Sequence, residues 1–173
     1  MNRILIIGCP GSGKSTLSQQ LGGILSLPVI HLDRYYWKPN WVPTPKDEWV
    51  QFLVDATEQE QWILDGNYTG TLDLRLQHAY AVIFLDMSRY LCIYRIIKRR
   101  IQYQGRTRPD LNEDCPEKLD GSFIRWVWNY NKQTRQQVLQ RLEGLDSSKR
   151  IFVLKNRRDV RELLEQLQKE LCT

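Results

Sequence analysis

A parallel β-sheet covered by helices on both faces is the fold class this sequence predicts, on three observations. Short continuous apolar runs alternate with longer segments of helical period. The runs lack in–out alternation, as strands buried on both faces require. The first run ends in a glycine-rich loop that opens a helix. Five such strands separated by helices make βαβ units, and these stack into three layers, α on β on α.

The elements follow in order. Ile4–Ile7 is the first buried strand. Lys14–Ile24 carries Leu17, Leu21 and Ile24 at spacings of four and three, one face of a helix. Val29–Leu32 is the second strand. Pro45–Glu60 is helical, with Thr44-Pro45 as its cap and first-turn proline and Trp49, Phe52 and Leu53 on one face. Trp62–Leu64 and Val82–Leu85 are strands three and four. Ser88–Gln104 is a helix bearing Leu91, Ile93, Ile96, Ile97 and Ile101. Phe123–Leu142 is periodic throughout, Ile151–Leu154 is the fifth strand, and Asp159–Leu171 is a last helix. Between them, residues 104–121 are polar and rich in Gly, Pro, Arg, Asn and Asp. A stretch that long and that polar in a compact chain suits a lid.

The chain has 173 residues, enough for one domain over residues 1–173 with its own core. Its apolar share of 42% and charged share of 26% exclude bulk disorder. No apolar run approaches the roughly 18 residues of a membrane span. The N-terminal apolar stretch is too short for a signal peptide. Cys9, Cys92, Cys115 and Cys172 have neither CxxC nor metal spacing, so reduced thiols in a cytoplasmic protein are expected. Monomer and dimer both stay open.

Charge is uneven. Residues 33–86 hold 9 acids and 4 bases, whereas residues 87–173 hold 19 bases and 11 acids. Met87–Pro109 alone carries seven Arg or Lys and no acid. Something anionic is expected there: a nucleotide, a phosphorylated substrate or a nucleic acid. A solvated helix face is the plainer alternative.

The chemistry starts at Gly8-Cys9-Pro10-Gly11-Ser12-Gly13-Lys14-Ser15, which matches GxxxxGK[ST] between a strand and a helix. Glycines let the main chain approach phosphate oxygens closely, and the loop amides and helix N-terminus then converge on them. Lys14 neutralises the β- and γ-phosphates, and the Ser15 hydroxyl ligates Mg²⁺. Gly8, Pro10, Gly11, Ser12, Gly13, Lys14, Ser15 and Thr16 are thus the expected ATP cradle. The fold class sharpens to a P-loop nucleoside-triphosphatase fold. A guanine-reading NKxD is absent, and paired acids of a motor-type strand end are absent too. Strand ends carry single acids instead: Asp33, Asp65 and Asp86. This layout favours a small kinase.

Asp86, Arg95, Arg99 and Arg100 form D-x₈-R-x₃-R-R, leading into the polar segment. That pattern resembles the approach to the lid of adenylate kinase and related nucleoside monophosphate kinases. The resemblance implies a five-stranded parallel sheet of order 2-3-1-4-5 with a small lid. It also implies Arg95 beside the adenine, Arg99 on the phosphates, and Asp65 organising Mg²⁺ through water. Asn156 and Arg157 would flank the adenine, and Arg125 and Arg135 would take the place of post-lid arginines aimed at the cleft. Two further stretches, residues 31–41 (His-Leu-Asp-Arg-Tyr-Tyr-Trp-Lys-Pro-Asn-Trp) and Phe123–Tyr130, together with Asp65-Gly66-Asn67-Tyr68, look like bacterial DNA topology modulation proteins. These are adenylate-kinase-like proteins whose label implies an effect on DNA. No DNA-binding motif is visible here. The DGFPR signature of adenylate kinase is replaced by Asp65-Gly66-Asn67-Tyr68, and one lid cysteine excludes a four-cysteine zinc lid.

The acceptor is expected on residues 33–60. Asp33 accepts a hydroxyl proton or binds the acceptor, or else is a loop carboxylate. Tyr35, Tyr36, Trp37 and Trp41, four aromatics within seven residues, stack a base or sugar, or else form an aromatic mini-core, with Tyr36 and Trp37 the expected contacts. Asn67 and Arg75 contact the acceptor, with surface pairing the alternative for Arg75. Arg106 and Arg108 approach the phosphoryl group from the lid. Asp86 is expected to cap a helix, His31 to sit in the sheet, and Trp126 and Trp128 to pack. The expected activity is transfer of the γ-phosphoryl of Mg²⁺–ATP to a small acceptor, a nucleotide or nucleoside-like molecule. Lys14, Asp33, Arg99 and Arg135 are its expected catalytic residues. An ATP-binding regulator of DNA topology, or another nucleic-acid-associated nucleotide switch, is the competing function.

Overall fold

The computed structural model describes residues 1–105, 110–112, 114–116 and 119–171. Five parallel strands form one sheet: β1 (Arg3–Gly8), β2 (Val29–His31), β5 (Trp62–Asp65), β6 (Ala81–Leu85) and β7 (Arg150–Leu154), in the order β2-β5-β1-β6-β7. Numbered among themselves, these strands have the expected order 2-3-1-4-5.

The reason for the continuous apolar runs is visible in β1. Ile4 and Ile6 pack on one face with Leu17 and Leu21 of α1 (Lys14–Leu25), Cys92 and Ile96 of α5 (Arg89–Gln102), and Leu163 and Leu167 of α8 (Arg157–Leu171). Leu5 and Ile7 pack on the other face with Trp49 and Leu53 of α3 (Lys46–Glu58), Leu72 and Leu76 of α4 (Leu72–His78), and Val138 and Leu142 of α7 (Thr134–Glu143). Alternate side chains of each central strand thus meet a helical layer on both sides, so every position is apolar.

The acceptor segment folds as α2 (Leu32–Tyr36) and a small antiparallel hairpin, β3 (Trp37–Lys38) with β4 (Val42–Pro43), before α3. Leu32 was expected to end a strand. It opens α2 instead, fully buried in the core under α3. Thr44 was expected to cap α3. Its hydroxyl instead donates to the carbonyls of Tyr35 and Tyr36, at 2.9 Å each, and ties the hairpin back to α2.

The periodic stretch Phe123–Leu142 is two helices, α6 (Gly121–Asn129) and α7, parted by a 3₁₀ turn at Tyr130–Lys132. The run Asn129-Tyr130-Asn131-Lys132-Gln133 is a weak helix former. Tyr130 is buried there and donates its hydroxyl to Asn67 Oδ1 at 3.2 Å.

Among the described residues, no helix is long and apolar enough to cross a membrane. Cys9, Cys92 and Cys115 are free and buried. Cys172 lies outside the described residues.

Candidate active site

The C-terminal ends of the strands open into a cleft of about 1080 Å³. Such an edge is where open α/β sheets bind ligands. One end of the cleft is the glycine loop between β1 and α1. Gly11 (φ 77°) and Gly13 (φ 105°) lie in the left-handed region that favours glycine. A Cβ on Gly11 would stand 2.5 Å from the Cys92 carbonyl oxygen, so the loop rides directly on the first turn of α5. Replacing Gly11 by alanine is expected to weaken ATP binding roughly tenfold or more, since both the backbone conformation and the contact must yield. Isothermal titration of the variant with ATP checks this; unchanged affinity would show that the loop adapts.

The loop fits a phosphate group. Among the described residues the buried Ser12 hydroxyl has no partner, an unsatisfied group of the kind a ligand oxygen meets. The Lys14 ammonium folds over the loop, donating to the carbonyls of Gly8 at 3.1 Å and Cys9 at 3.2 Å. Arg95 donates Nη1 to the carbonyls of Gly11 (3.2 Å) and Ser12 (2.7 Å). Partial burial, and then the like charge of Arg157, lower the Arg95 pKa. Arg157 therefore lies electrostatically within reach of the cradle, although neither it nor Asn156 lines the cleft. Asn156 caps α8, its Oδ1 accepting from the amides of Arg158 (2.8 Å) and Asp159 (3.0 Å).

Two oxygen ligands suit Mg²⁺, which usually takes one or two carboxylates alongside substrate phosphates. Ser15 lines the cleft at the start of α1, and Asp65 ends β5 beside it. Asp65 is only 4% exposed and is fixed on one oxygen, Oδ2, by Ser18 Oγ and His31 Nδ1, both at 2.9 Å. Burial works to lower the His31 pKa, but the bond and charge of Asp65 outweigh it, and the net shift is upward. His31, expected only as a sheet residue, thus orients the candidate metal carboxylate.

The other end of the cleft is built on α2 and the hairpin. Asp33 sits in the first turn of α2, and its Oδ1 accepts from the Tyr68 hydroxyl at 2.6 Å. Burial, and then the Asp33 charge, push the Tyr68 phenol far above its ordinary range, so it stays a donor. Tyr36 touches Trp37, Trp49 and Tyr68 at ring-centroid distances of 4.9, 5.1 and 4.6 Å. Trp37 meets Trp41 edge-on at 5.4 Å. The two aromatic readings coexist: Trp49 is buried in the core, while Tyr36, Trp37 and Trp41 line the cleft. Asn67, Arg99, Phe123 and Trp126 also line it.

The described part of the 104–121 segment lies across this cleft. Ser15 Oγ donates to Asp110 Oδ2 at 2.9 Å. Trp41 Nε1 donates to the Pro116 carbonyl at 3.0 Å, and the Asn40 amide to the Asp114 carbonyl at 3.0 Å. Arg106 and Arg108, expected to reach the phosphoryl group, lie outside the described residues.

Three expected arginines are placed elsewhere. Arg75 is fully buried and donates Nη1 to the Gly66 carbonyl (2.9 Å), Nη2 to that of Tyr68 (2.6 Å) and Nε to that of Thr71 (3.3 Å). Burial lowers its pKa to about 10. It holds the loop after β5 rather than facing an acceptor. Arg135 forms a two-bond ion pair with Asp86, at 2.7 and 2.8 Å. Asp86 is therefore structural as expected, through an ion pair and not a cap. Arg125 is exposed and away from the cleft lining. The residues that sequence reasoning missed are Tyr68, His31, Asp110 and Trp126. Tyr68 stood inside a noted motif, but no local signal tells that its hydroxyl meets Asp33.

No protein-family model matches this chain, and no curated protein sequence matches it. Solved structures do. Shikimate kinase from Acinetobacter baumannii, in complex with shikimate, superposes with a TM-score of 0.62 at 15% identity, covering 99% of this chain and 93% of that one. Deoxyadenosine kinase from M. mycoides, with dCMP and a flexible dCDP bound, gives 0.56 at 20% identity, covering 97% of each chain. Shikimate kinase from Aquifex aeolicus gives 0.54 at 18%, covering 98% of each. These likenesses establish a P-loop kinase fold. The resemblance to DNA topology modulation proteins rests on the motifs alone.

Proposed function

We propose that this protein transfers the γ-phosphoryl group of Mg²⁺–ATP to a hydroxyl of a small molecule. One observation carries the reading. A single cleft has a phosphate cradle at one end and, at the other, a carboxylate held in place by a buried phenol. The structural likeness to small-molecule kinases supports it.

In this reading the Lys14 ammonium swings from the Gly8 and Cys9 carbonyls to the β- and γ-phosphates. Ser15 and Asp65 would hold Mg²⁺, which would supply charge neutralisation to the phosphates. Arg95 supports the loop from outside, and Arg99, which lines the cleft, lies against phosphate oxygens. Asp33 orients the acceptor hydroxyl and takes its proton. The segment over the cleft excludes water, which would otherwise compete as acceptor.

The test is ADP formation over a panel of nucleosides, nucleoside monophosphates and hydroxylated metabolites. An acceptor-dependent signal is expected, and Asp33→Asn should lower kcat by roughly 10²–10⁴. Slow hydrolysis with every acceptor, at undiminished ATP binding, would sink the kinase reading. It would move weight to a nucleotide switch linked to nucleic acid. Several bases that such a switch would need are spent on ion pairs: Arg135 with Asp86, Arg141 with Asp73, Arg150 with Glu170 and Arg158 with Glu162. Steeply salt-dependent DNA binding would be its signature.

A further inference from the structure

We infer that the acceptor is an uncharged nucleoside, recognised by ring stacking, and not a molecule already carrying a phosphate or carboxylate. This rests on the kinase reading and narrows its substrate class.

The first ground is the charge of the acceptor end. Asp33 stands on α2 at this end, and Asp120 also lines the cleft, its Oδ1 accepting from Ser122 Oγ and the Phe123 amide. The described cations lining the cleft are Lys14, Arg95 and Arg99. Lys14 and Arg95 bond the cradle itself, and Arg99 stands on α5, one turn beyond Arg95. The acceptor segment contributes none. Lys38 is paired with Glu48 at 2.8 Å, and Arg34 and Lys46 do not line the cleft. Arg75 is fully buried with its donors on three carbonyls. Among the described residues, an anionic acceptor would face the Asp33 carboxylate without an arginine or lysine of the acceptor segment to receive it, which is a repulsive arrangement.

The second ground is the wall. Trp37 and Trp41 of the hairpin and Phe123 and Trp126 of α6 all line the same cleft. Trp126 is 44% exposed and Trp37 is half-buried, so both offer ring surface to a ligand. Every nucleobase has a π-face, and stacking on such rings needs no charge.

The third ground is the carboxylate. Tyr68 occupies Asp33 Oδ1, which leaves Oδ2 to accept from a sugar hydroxyl. Asp33 and Trp37 are four residues apart on one segment, so a base on the indole places its sugar toward Asp33. In the transfer, the acceptor O–H bond breaks and its proton passes to Asp33 Oδ2. The acceptor oxygen bonds to the γ-phosphorus. The bond from that phosphorus to the β–γ bridging oxygen breaks, and ADP leaves with the electron pair.

The experiment titrates the full chain with adenosine, cytidine, guanosine, uridine and their 2′-deoxy forms. Each is set against its 5′-monophosphate and against shikimate and gluconate as hydroxy acids without an aromatic ring. Binding is read by tryptophan fluorescence without ATP, and turnover as ADP with Mg²⁺–ATP. At least one nucleoside is expected to bind tenfold or more tightly than its monophosphate and to be the better acceptor. Trp37→Ala should weaken that nucleoside roughly tenfold. A monophosphate binding as tightly as its nucleoside overturns the inference. So does preferred turnover of a hydroxy acid, or the binding of no nucleoside at all. The kinase reading fails by a different result: no ATP binding, or ATP binding indifferent to Lys14→Ala. Trp37→Phe separates stacking from folding, because it should keep most of the affinity that alanine loses.

Discussion

Lys14→Ala is expected to cut phosphoryl transfer by at least about a hundredfold, with the fold intact. Removing one preorganised electrostatic partner from developing charge costs that much in comparable sites. Lys14 is suited to the task because its ammonium rests, among the described residues, on the Gly8 and Cys9 carbonyls, at 3.1 and 3.2 Å. These are neutral partners, readily exchanged for charged phosphate oxygens. Lys14→Arg should not restore activity, since a bulky planar fork does not replace a compact ammonium in a tight loop. The measurements are ADP formation with the accepted substrate, ATP titration, and far-ultraviolet circular dichroism to confirm folding. A variant within a few-fold of the native rate would remove the cradle from the chemistry.

Arg75→Met is expected to destabilise the protein by about 3 kcal/mol, because it strips the donors from three buried or partly buried carbonyls at once. Gly66, Tyr68 and Thr71 all accept from Arg75, and methionine keeps the volume but offers no donor. Net stabilities of domains are only about 5–15 kcal/mol, so the effect is a sizeable fraction. It should appear as a lower urea midpoint at unchanged m-value. A secondary effect follows on activity. Arg75 bonds the Tyr68 carbonyl, and Tyr68 holds Asp33 at 2.6 Å, so kcat falls while ATP affinity is retained. Arg75→Lys recovers at most part of this, because one ammonium cannot reach three carbonyls set out for a fork. A loss below about 1 kcal/mol would mean that the loop holds itself.

The fold was legible because its signals are local or periodic. Ile4–Ile7 had to be apolar on both faces, and the structure covers both. The glycine loop could be placed from spacing alone, since positive φ at Gly11 and Gly13 is a property of those residues' own sterics. Helix breaks were less legible. Nothing in the period of Phe123–Leu142 marks the turn at Tyr130, where the buried tyrosine bonds Asn67, 63 positions away. Likewise Thr44 looked like a cap until the hairpin brought the Tyr35 and Tyr36 carbonyls within 2.9 Å.

The arginines make the division clearest. The sequence offered Arg75, Arg95, Arg99, Arg125 and Arg135 alike as residues of the cleft, Arg75 with surface pairing as its alternative. Tertiary structure separated them: Arg95 bonds the cradle, Arg99 lines the cleft, Arg135 neutralises Asp86, and Arg75 carries a loop from inside the core. The same holds for the acids, since Asp65 and Asp33 gained their places through His31 and Tyr68. By itself, then, the sequence determined the parallel sheet, its two helical layers and the loop for phosphate, because burial pattern and backbone freedom are written residue by residue. Which charged side chain faces the cleft was decided only in three dimensions. A long cation spends its donors on whichever partner the packing brings near, and those partners lie far along the chain.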